Sequence, residues 1–272
     1  MALRELSSPG KSGSIFFLSQ DGRFIVKTMR KAEMVHLRRA VLRRYYAHAL
    51  QFPQSLLNRF YGLHRVKPHG GRNVRFVVMG NLLATGHTLH RRYDLKGSTF
   101  GRLTPLPFDP VKKILKDLDL EYTFALEDGN AARLLAQLAA DCRLLEQLNI
   151  MDYSLLLGVH FCAPPARLVE QATSEDDDDF AGETNAQLGV NMTALAVPGR
   201  VLPAPQGVTQ QPLPTERLRA VLNLGIIDIL QEYNFSKSFE HSWKARHSGL
   251  IASLLLTHLS LIINADARPK TE

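Results

Sequence analysis

The chain has 272 residues, 45% hydrophobic and 22% charged, proportions that exclude a collagen-like repeat, a wholly disordered chain and a bundle of membrane spans. Its excess of 33 basic over 26 acidic side chains is uneven: residues 1–102 carry 19 and 4 (+15), residues 103–272 carry 14 and 22 (−8). The opening third is thus a cationic surface, and two cysteines, Cys142 and Cys162, are too few for a disulfide framework and lack zinc-site spacing.

The start Met1-Ala2-Leu3-Arg4-Glu5 carries no apolar stretch, so no secretory signal is expected and a reducing cytosolic setting is. Ile15 to Thr28 reads as a hairpin, because apolar runs flank Asp21-Gly22, a pair suited to a type I′ turn. Arg30 to Tyr46 predicts an amphipathic helix, with Met34, Leu37, Val41 and Leu42 on one face and Arg38, Arg39, Arg43 and Arg44 elsewhere. Phe76-Val77-Val78-Met79 marks a buried strand within Asn73 to Leu83. A second helix is expected over Ala131 to Leu148, where Leu134, Leu138, Cys142, Leu145 and Leu148 recur at helical spacing, followed by a buried strand, Ser154 to Phe161. From 162 to 214 the chain turns to Pro164-Pro165, the acidic run Glu175 to Asp179 and prolines 198, 203, 205, 212 and 214. This composition predicts a disordered insert interrupting one domain. Order resumes at Val221 to Leu230. Leu250 to Ile263 is apolar but shorter than the roughly 20 residues of a spanning helix, and reads as a core or interfacial helix.

Three features carry chemistry. Ser7-Ser8-Pro9-Gly10-Lys11-Ser12-Gly13-Ser14 is rich in small residues that let backbone N–H groups approach a phosphate; a solvated turn is the other reading. It is no P-loop, since Glu5 stands where that pattern needs glycine and a strand follows. Lys27, ending an apolar strand, is either an edge charge or, with this loop upstream and Glu33 on the helix downstream, the lysine of a kinase's nucleotide lobe. Asp152 precedes a buried strand and suits a turn or an acceptor-hydroxyl site. Asp228, bracketed by Gly225-Ile226-Ile227 and Ile229-Leu230, is expected to be buried and therefore to hold a metal or a cation.

Ser7 to Lys27, Val77-Val78-Met79-Gly80-Asn81-Leu82-Leu83, Tyr93-Asp94-Leu95-Lys96-Gly97-Ser98, Ile150 to Leu156 and Gly225 to Gln231 together resemble the phosphatidylinositol phosphate kinase family. The resemblance covers most of residues 4–161 and 217–244 and is similar to plant and algal members. It implies an α+β, two-lobed protein-kinase-like fold, with an antiparallel first lobe over 1–83, a mixed second lobe from 84 to 161, and a metal-binding strand with the start of a specificity loop over 215–244. Residues 245–272 read as a divergent tail, and the domain is expected to be incomplete at both ends. The resemblance also implies roles: Gly10, Lys11, Ser12, Gly13 and Ser14 would cover the ATP phosphates, and Lys27, paired with Glu33, would hold the α and β phosphates. Asn81, Leu82 and Leu83 would border the adenine. Asp152 would orient or deprotonate the inositol hydroxyl and Asp228 would bind Mg²⁺. Lys96 and Arg102 would face the lipid head group. Lys237 would aid its capture, and Glu240 before His241 is similar to members that phosphorylate the 5-hydroxyl of phosphatidylinositol 4-phosphate. The expected function is that ATP-dependent transfer, on an anionic membrane surface and peripheral to the plasma membrane. The alternative is an inactive, truncated phosphoinositide-binding fragment. A nucleic-acid partner is not expected, because the basic third lacks aromatic platforms or a recognised motif.

Overall fold

The computed structural model describes residues 3–6, 13–105, 113–127, 129–164, 188–202, 213–231 and 248–263. Two five-stranded antiparallel sheets organise them. The first runs β1-β2-β3-β5-β4, from β1 (Leu3–Leu6), β2 (Phe16–Ser19), β3 (Phe24–Thr28), β4 (Phe60–Val66) and β5 (Val74–Gly80). The second runs β6-β8-β10-β9-β7, from β6 (Arg91–Leu95), β7 (Tyr122–Leu126), β8 (Ser154–Phe161), β9 (Val190–Pro198) and β10 (Leu218–Ile227).

The expected hairpin forms, with a different turn. Gly22 donates its N–H to the Ser19 carbonyl at 2.9 Å, and in the turn only Gly22 takes a positive φ (68°). Asp21 instead accepts from Ser19 Oγ at 2.5 Å and from the Arg23 N–H at 3.2 Å. A carboxylate that can bond its own backbone stabilises a type I turn closed by a left-handed glycine, so the type I′ geometry is not adopted.

The predicted first helix is three pieces: α1 (Lys31–His36), a π-helical segment (Leu37–Val41) and α2 (Leu42–Gln51). Leu37, Val41 and Tyr45 reach the core while Arg38, Arg39 and Arg43 stay exposed, so the amphipathic reading holds across the π segment. In the second lobe α3 (Asn130–Gln147) buries Leu134, Leu138, Cys142 and Leu145 against the sheet. α4 (Ser248–Ile262) packs along α3, with Ala252, Leu255, Leu259 and Ile262 in the same core. Among the described residues no helix is long and apolar enough to cross a membrane.

β9 corrects the expectation of a wholly disordered 162–214. It lies between β10 and β7, with Ala194 opposite Ala220 on one side and Leu126 on the other. Val190 to Val197 is an apolar run inside a Pro- and acid-rich stretch, and pairing on both edges satisfies its backbone. Residues 165–187 and 203–212 of that insert lie outside the described residues.

Just before β6, His90 is 4% exposed and its Nδ1 lies 3.1 Å from the Phe161 N–H, which an unprotonated nitrogen accepts. Burial, aided by His160 and Arg91, lowers its pKa from 6.5 to about 4. Between those values the unfolded chain binds the extra proton. Stability is therefore expected to fall as pH drops from about 6.5 to about 4, by up to about 3 kcal/mol. Urea unfolding at several pH values checks this, and His90→Asn, which keeps an acceptor without titrating, should flatten the profile.

Candidate active site

Three strands of the second sheet end on one edge and bring the chemistry together. Leu95 of β6 is in register with Leu155 of β8, and Ser154 of β8 with Ile227 of β10. Lys96, Asp152 and Asp228, each just beyond a strand end, therefore share that edge. The Met151 N–H donates to the Gln231 carbonyl at 3.0 Å, tying the Asp152 turn to the chain after Asp228. Both aspartates take φ of 61°, a left-handed conformation that aspartate and asparagine tolerate better than other side chains.

From the first sheet, Lys27 Nζ reaches Asp228 Oδ1 at 3.6 Å and sits 5.0 Å from the Phe16 ring centroid. Its cross-strand partner is Phe16, so the described end of the glycine-rich segment, Gly13 (φ 66°) and Ser14, leads directly to the lysine. Gly10, Lys11 and Ser12 lie outside the described residues, as do Lys237 and Glu240.

Two expectations need correction here. Asp228 is not buried: its side chain is 53% exposed, because β10 ends at Ile227 and the left-handed turn carries the carboxylate out of the apolar strand. Glu33 is not the carboxylate against Lys27. Its Oε2 accepts the Arg30 backbone N–H at 2.7 Å, closing the first turn of α1, where an orphan donor needs an acceptor.

The hinge residues divide in role. Asn81 is 1% exposed; its side-chain amide donates to the Gly22 carbonyl at 2.8 Å and its oxygen accepts the Leu83 N–H at 3.1 Å. It clamps the hinge to the β2–β3 turn, and that use of both ends of the amide runs against a direct adenine contact. Leu82 and Leu83 join Leu89 and Leu156 in a separate apolar cluster, with Ile227, the neighbour of Asp228, packed on it. That cluster is the apolar floor beside the charged edge.

Lys96 Nζ donates to the Asp152 carbonyl at 3.0 Å. Arg102, by contrast, is held inside the protein: its Nε donates to Asp117 Oδ2 at 2.6 Å and its Nη2 to the Asp94 carbonyl. With its side chain 12% exposed and its guanidinium so engaged, Arg102 does not present a cation to a head group. Asp117 also accepts the Lys96 and Gly97 N–H groups, at 2.9 and 2.7 Å. Burial raises the Asp117 pKa, but His258 and Arg102 outweigh it and hold the carboxyl below its ordinary 3.8.

A second buried carboxylate supports the other aspartate. Asp141 of α3, fully buried, contacts His48 Nε2 at 2.6 Å and accepts from Ser55 Oγ at 2.8 Å, the Leu56 N–H at 2.7 Å and Gln137 Nε2 at 2.9 Å. Leu56 in turn accepts the Ile226 N–H at 2.6 Å, and Asn58 donates to the Ile226 carbonyl at 3.0 Å, two residues before Asp228. Asp117, Asp141, His48 and His258 carried no signal in the linear sequence, since each finds its partners only through the fold.

A sheet lobe delivering a lysine, an apolar hinge cluster and a second lobe ending two strands on aspartates define a two-lobed, protein-kinase-like fold. The family model described as Phosphatidylinositol-4-phosphate 5-Kinase matches residues 1–253, and the chain belongs to that family. It is 41% identical over 304 residues to phosphatidylinositol 4-phosphate 5-kinase 9 of Arabidopsis thaliana, covering 90% of this chain and 37% of that protein. Identity to phosphatidylinositol 4-phosphate 5-kinase 6 of Arabidopsis thaliana is 42% over 269 residues, with 90% and 37% covered. To phosphatidylinositol 4-phosphate 5-kinase 1 of Oryza sativa subsp. japonica it is 38% over 314 residues, with 90% and 39% covered. The chain thus spans little more than a third of the length of these relatives.

Proposed function

We propose that this chain transfers the γ-phosphoryl group of ATP to the 5-hydroxyl of phosphatidylinositol 4-phosphate, giving the 4,5-bisphosphate. The approach of Lys27 to Asp228, at the strand edge that also holds Asp152 and Lys96, is the observation that carries this reading. The kinase names of relatives that match 90% of the chain favour it over an inactive fragment.

Lys27 would bind the α and β phosphates, with Gly13 and Ser14 beside it, while Leu83, Leu156 and Ile227 offer the base an apolar floor. Asp152 would take the proton of the 5-hydroxyl as its oxygen attacks the γ-phosphorus in line and the bond to the β–γ bridging oxygen breaks, releasing ADP. Lys96, fixed on the Asp152 carbonyl, keeps that loop in place and a cation near the transferred group. Asp228 suits Mg²⁺, an ion commonly held by one or two carboxylates plus substrate phosphates, since it offers an exposed carboxylate beside the phosphate-binding lysine. The ion would neutralise phosphate charge there. Glu240 is the residue proposed to favour the 4-phosphate lipid.

A membrane surface suits the exposed cations of the first lobe, Arg38, Arg39 and Arg43 beside α2 and Arg65, Lys67 and Arg72 around the β4–β5 turn. Each is worth about 1 kcal/mol near an anionic leaflet, which supports a peripheral location at the plasma membrane. Incubation with γ-labelled ATP and vesicles containing phosphatidylinositol 4-phosphate tests the proposal. Labelled 4,5-bisphosphate from wild type and none from Lys27→Ala is the expected result. Absence of labelled lipid from wild type overturns it.

A further inference from the structure

α4 carries a histidine on a face that otherwise reads as core. Leu255, Leu259 and Ile262 are each about as buried as the sheet residues they meet, and His258 between them is 3% exposed. An imidazole buried among leucines is unfavourable unless a polar partner compensates it. The polar group facing it is Asp117, whose Oδ1 lies 3.3 Å from His258 Nδ1, within ion-pair distance but outside hydrogen-bond alignment, and neither ring nitrogen has a hydrogen-bond partner among the described residues. The same Oδ1 accepts the Lys96 and Gly97 N–H groups. α4 also touches that turn directly. Gly97 has φ 70°, and a Cβ there would come within 2.5 Å of the Leu254 carbonyl oxygen, so helix and turn fit only because residue 97 is glycine.

A continuous path therefore leads from the helix to the catalytic edge: His258 to Asp117, Asp117 to the Lys96–Gly97 backbone, Lys96 Nζ to the Asp152 carbonyl. Arg102, bonded to Asp117 Oδ2, is the other charged group facing this carboxylate. Residue 258 lies beyond the residues matched by the family model, so this support comes from the chain's own continuation. We propose that His258 is a positioning residue of the active site, acting through Asp117 and the Lys96–Gly97 turn to hold Lys96 on the Asp152 loop. Its kinetic consequence rests on the kinase reading above, whereas its effect on the turn does not.

The full chain with His258→Leu tests it, because leucine suits the apolar surroundings of α4 and removes only the polar contact. Residue-resolved amide exchange at Lys96 and Gly97 is expected to speed up about tenfold, with α3 amides unchanged. In the lipid phosphorylation assay kcat should fall about tenfold or more while the KM for ATP holds, as displacement of a positioned group does. His258→Asn, whose side-chain amide can take the place of Nδ1, should restore both. Unchanged exchange at Lys96 and Gly97 in His258→Leu overturns the proposal. So does acceleration spread evenly over the second lobe, or His258→Asn behaving like His258→Leu. If wild type fails to phosphorylate lipid, the kinase reading falls and the exchange result alone decides the role of His258.

Discussion

Asp152→Asn is expected to lower kcat for lipid phosphorylation by about 10²- to 10⁴-fold, the range for loss of a positioned general base, without a change in thermal midpoint. Asparagine is the informative replacement because φ at this position is 61°. It tolerates the left-handed region, whereas alanine would add about 1–2 kcal/mol of backbone strain and confuse stability with chemistry. The backbone carbonyl that accepts Lys96 Nζ is untouched by the change, so the loop keeps its tie. Asp228→Asn, also at φ 61°, should lose activity for another reason: Lys27 loses its charged partner and the proposed Mg²⁺ its anionic ligand. Raised Mg²⁺ should therefore recover part of the Asp228→Asn activity and none of the Asp152→Asn activity. Wild-type turnover by either variant at ordinary Mg²⁺ would remove that aspartate from the mechanism.

The parts of this site legible in the sequence were those encoded by local pattern. Ser154–Phe161 has the predicted strand bounds, and α3 starts one residue before and ends one residue before the predicted helix. Lys27 and Asp228 meet as expected of the kinase arrangement, although 201 positions separate them. What local pattern could not show is how a charge is used once the chain has folded. Asp117 in Lys116-Asp117-Leu118-Asp119 looks like an exposed turn, yet its side chain is fully buried by partners at 96, 97, 102 and 258. The resemblance assigns Arg102 to the head group, and nothing in the linear sequence marks Asp117, 15 positions on, as its partner. β9 was hidden for the opposite reason: its apolar run is shorter than the acidic and Pro-rich sequence around it, and composition averaged over the insert concealed it. β4 and β7 were missed as well, since Phe60–Val66 and Tyr122–Leu126 mix polar and apolar residues and gain their order from β5 and β9.

Asp141→Ala is expected to destabilise the protein by about 3–5 kcal/mol, the cost of removing one partner from a buried charged network. Four groups would lose their acceptor at once: the His48 ring, the Ser55 hydroxyl, the Leu56 N–H and the Gln137 amide. Asp141→Asn separates charge from geometry. At the Oδ1 position the new amide has two N–H donors, enough for His48 Nε2 in its other tautomer and for Ser55 Oγ as an acceptor, while the half-buried Gln137 amide would turn to solvent. The Leu56 N–H can only donate, so the remaining oxygen must face it, as Oδ2 does now. A network able to invert its polarity in this way should lose only about 1 kcal/mol, the worth of an ordinary hydrogen bond. Urea unfolding followed by circular dichroism measures both variants. Equal, large losses would show that the negative charge itself holds the lobes together; a negligible loss in Asp141→Ala would show that solvent replaces the carboxylate. Because Leu56 pairs with Ile226, two residues before Asp228, Asp141→Ala should also raise the Mg²⁺ concentration needed for half-maximal activity. Asp141→Asn, with the Leu56 bond intact, should not.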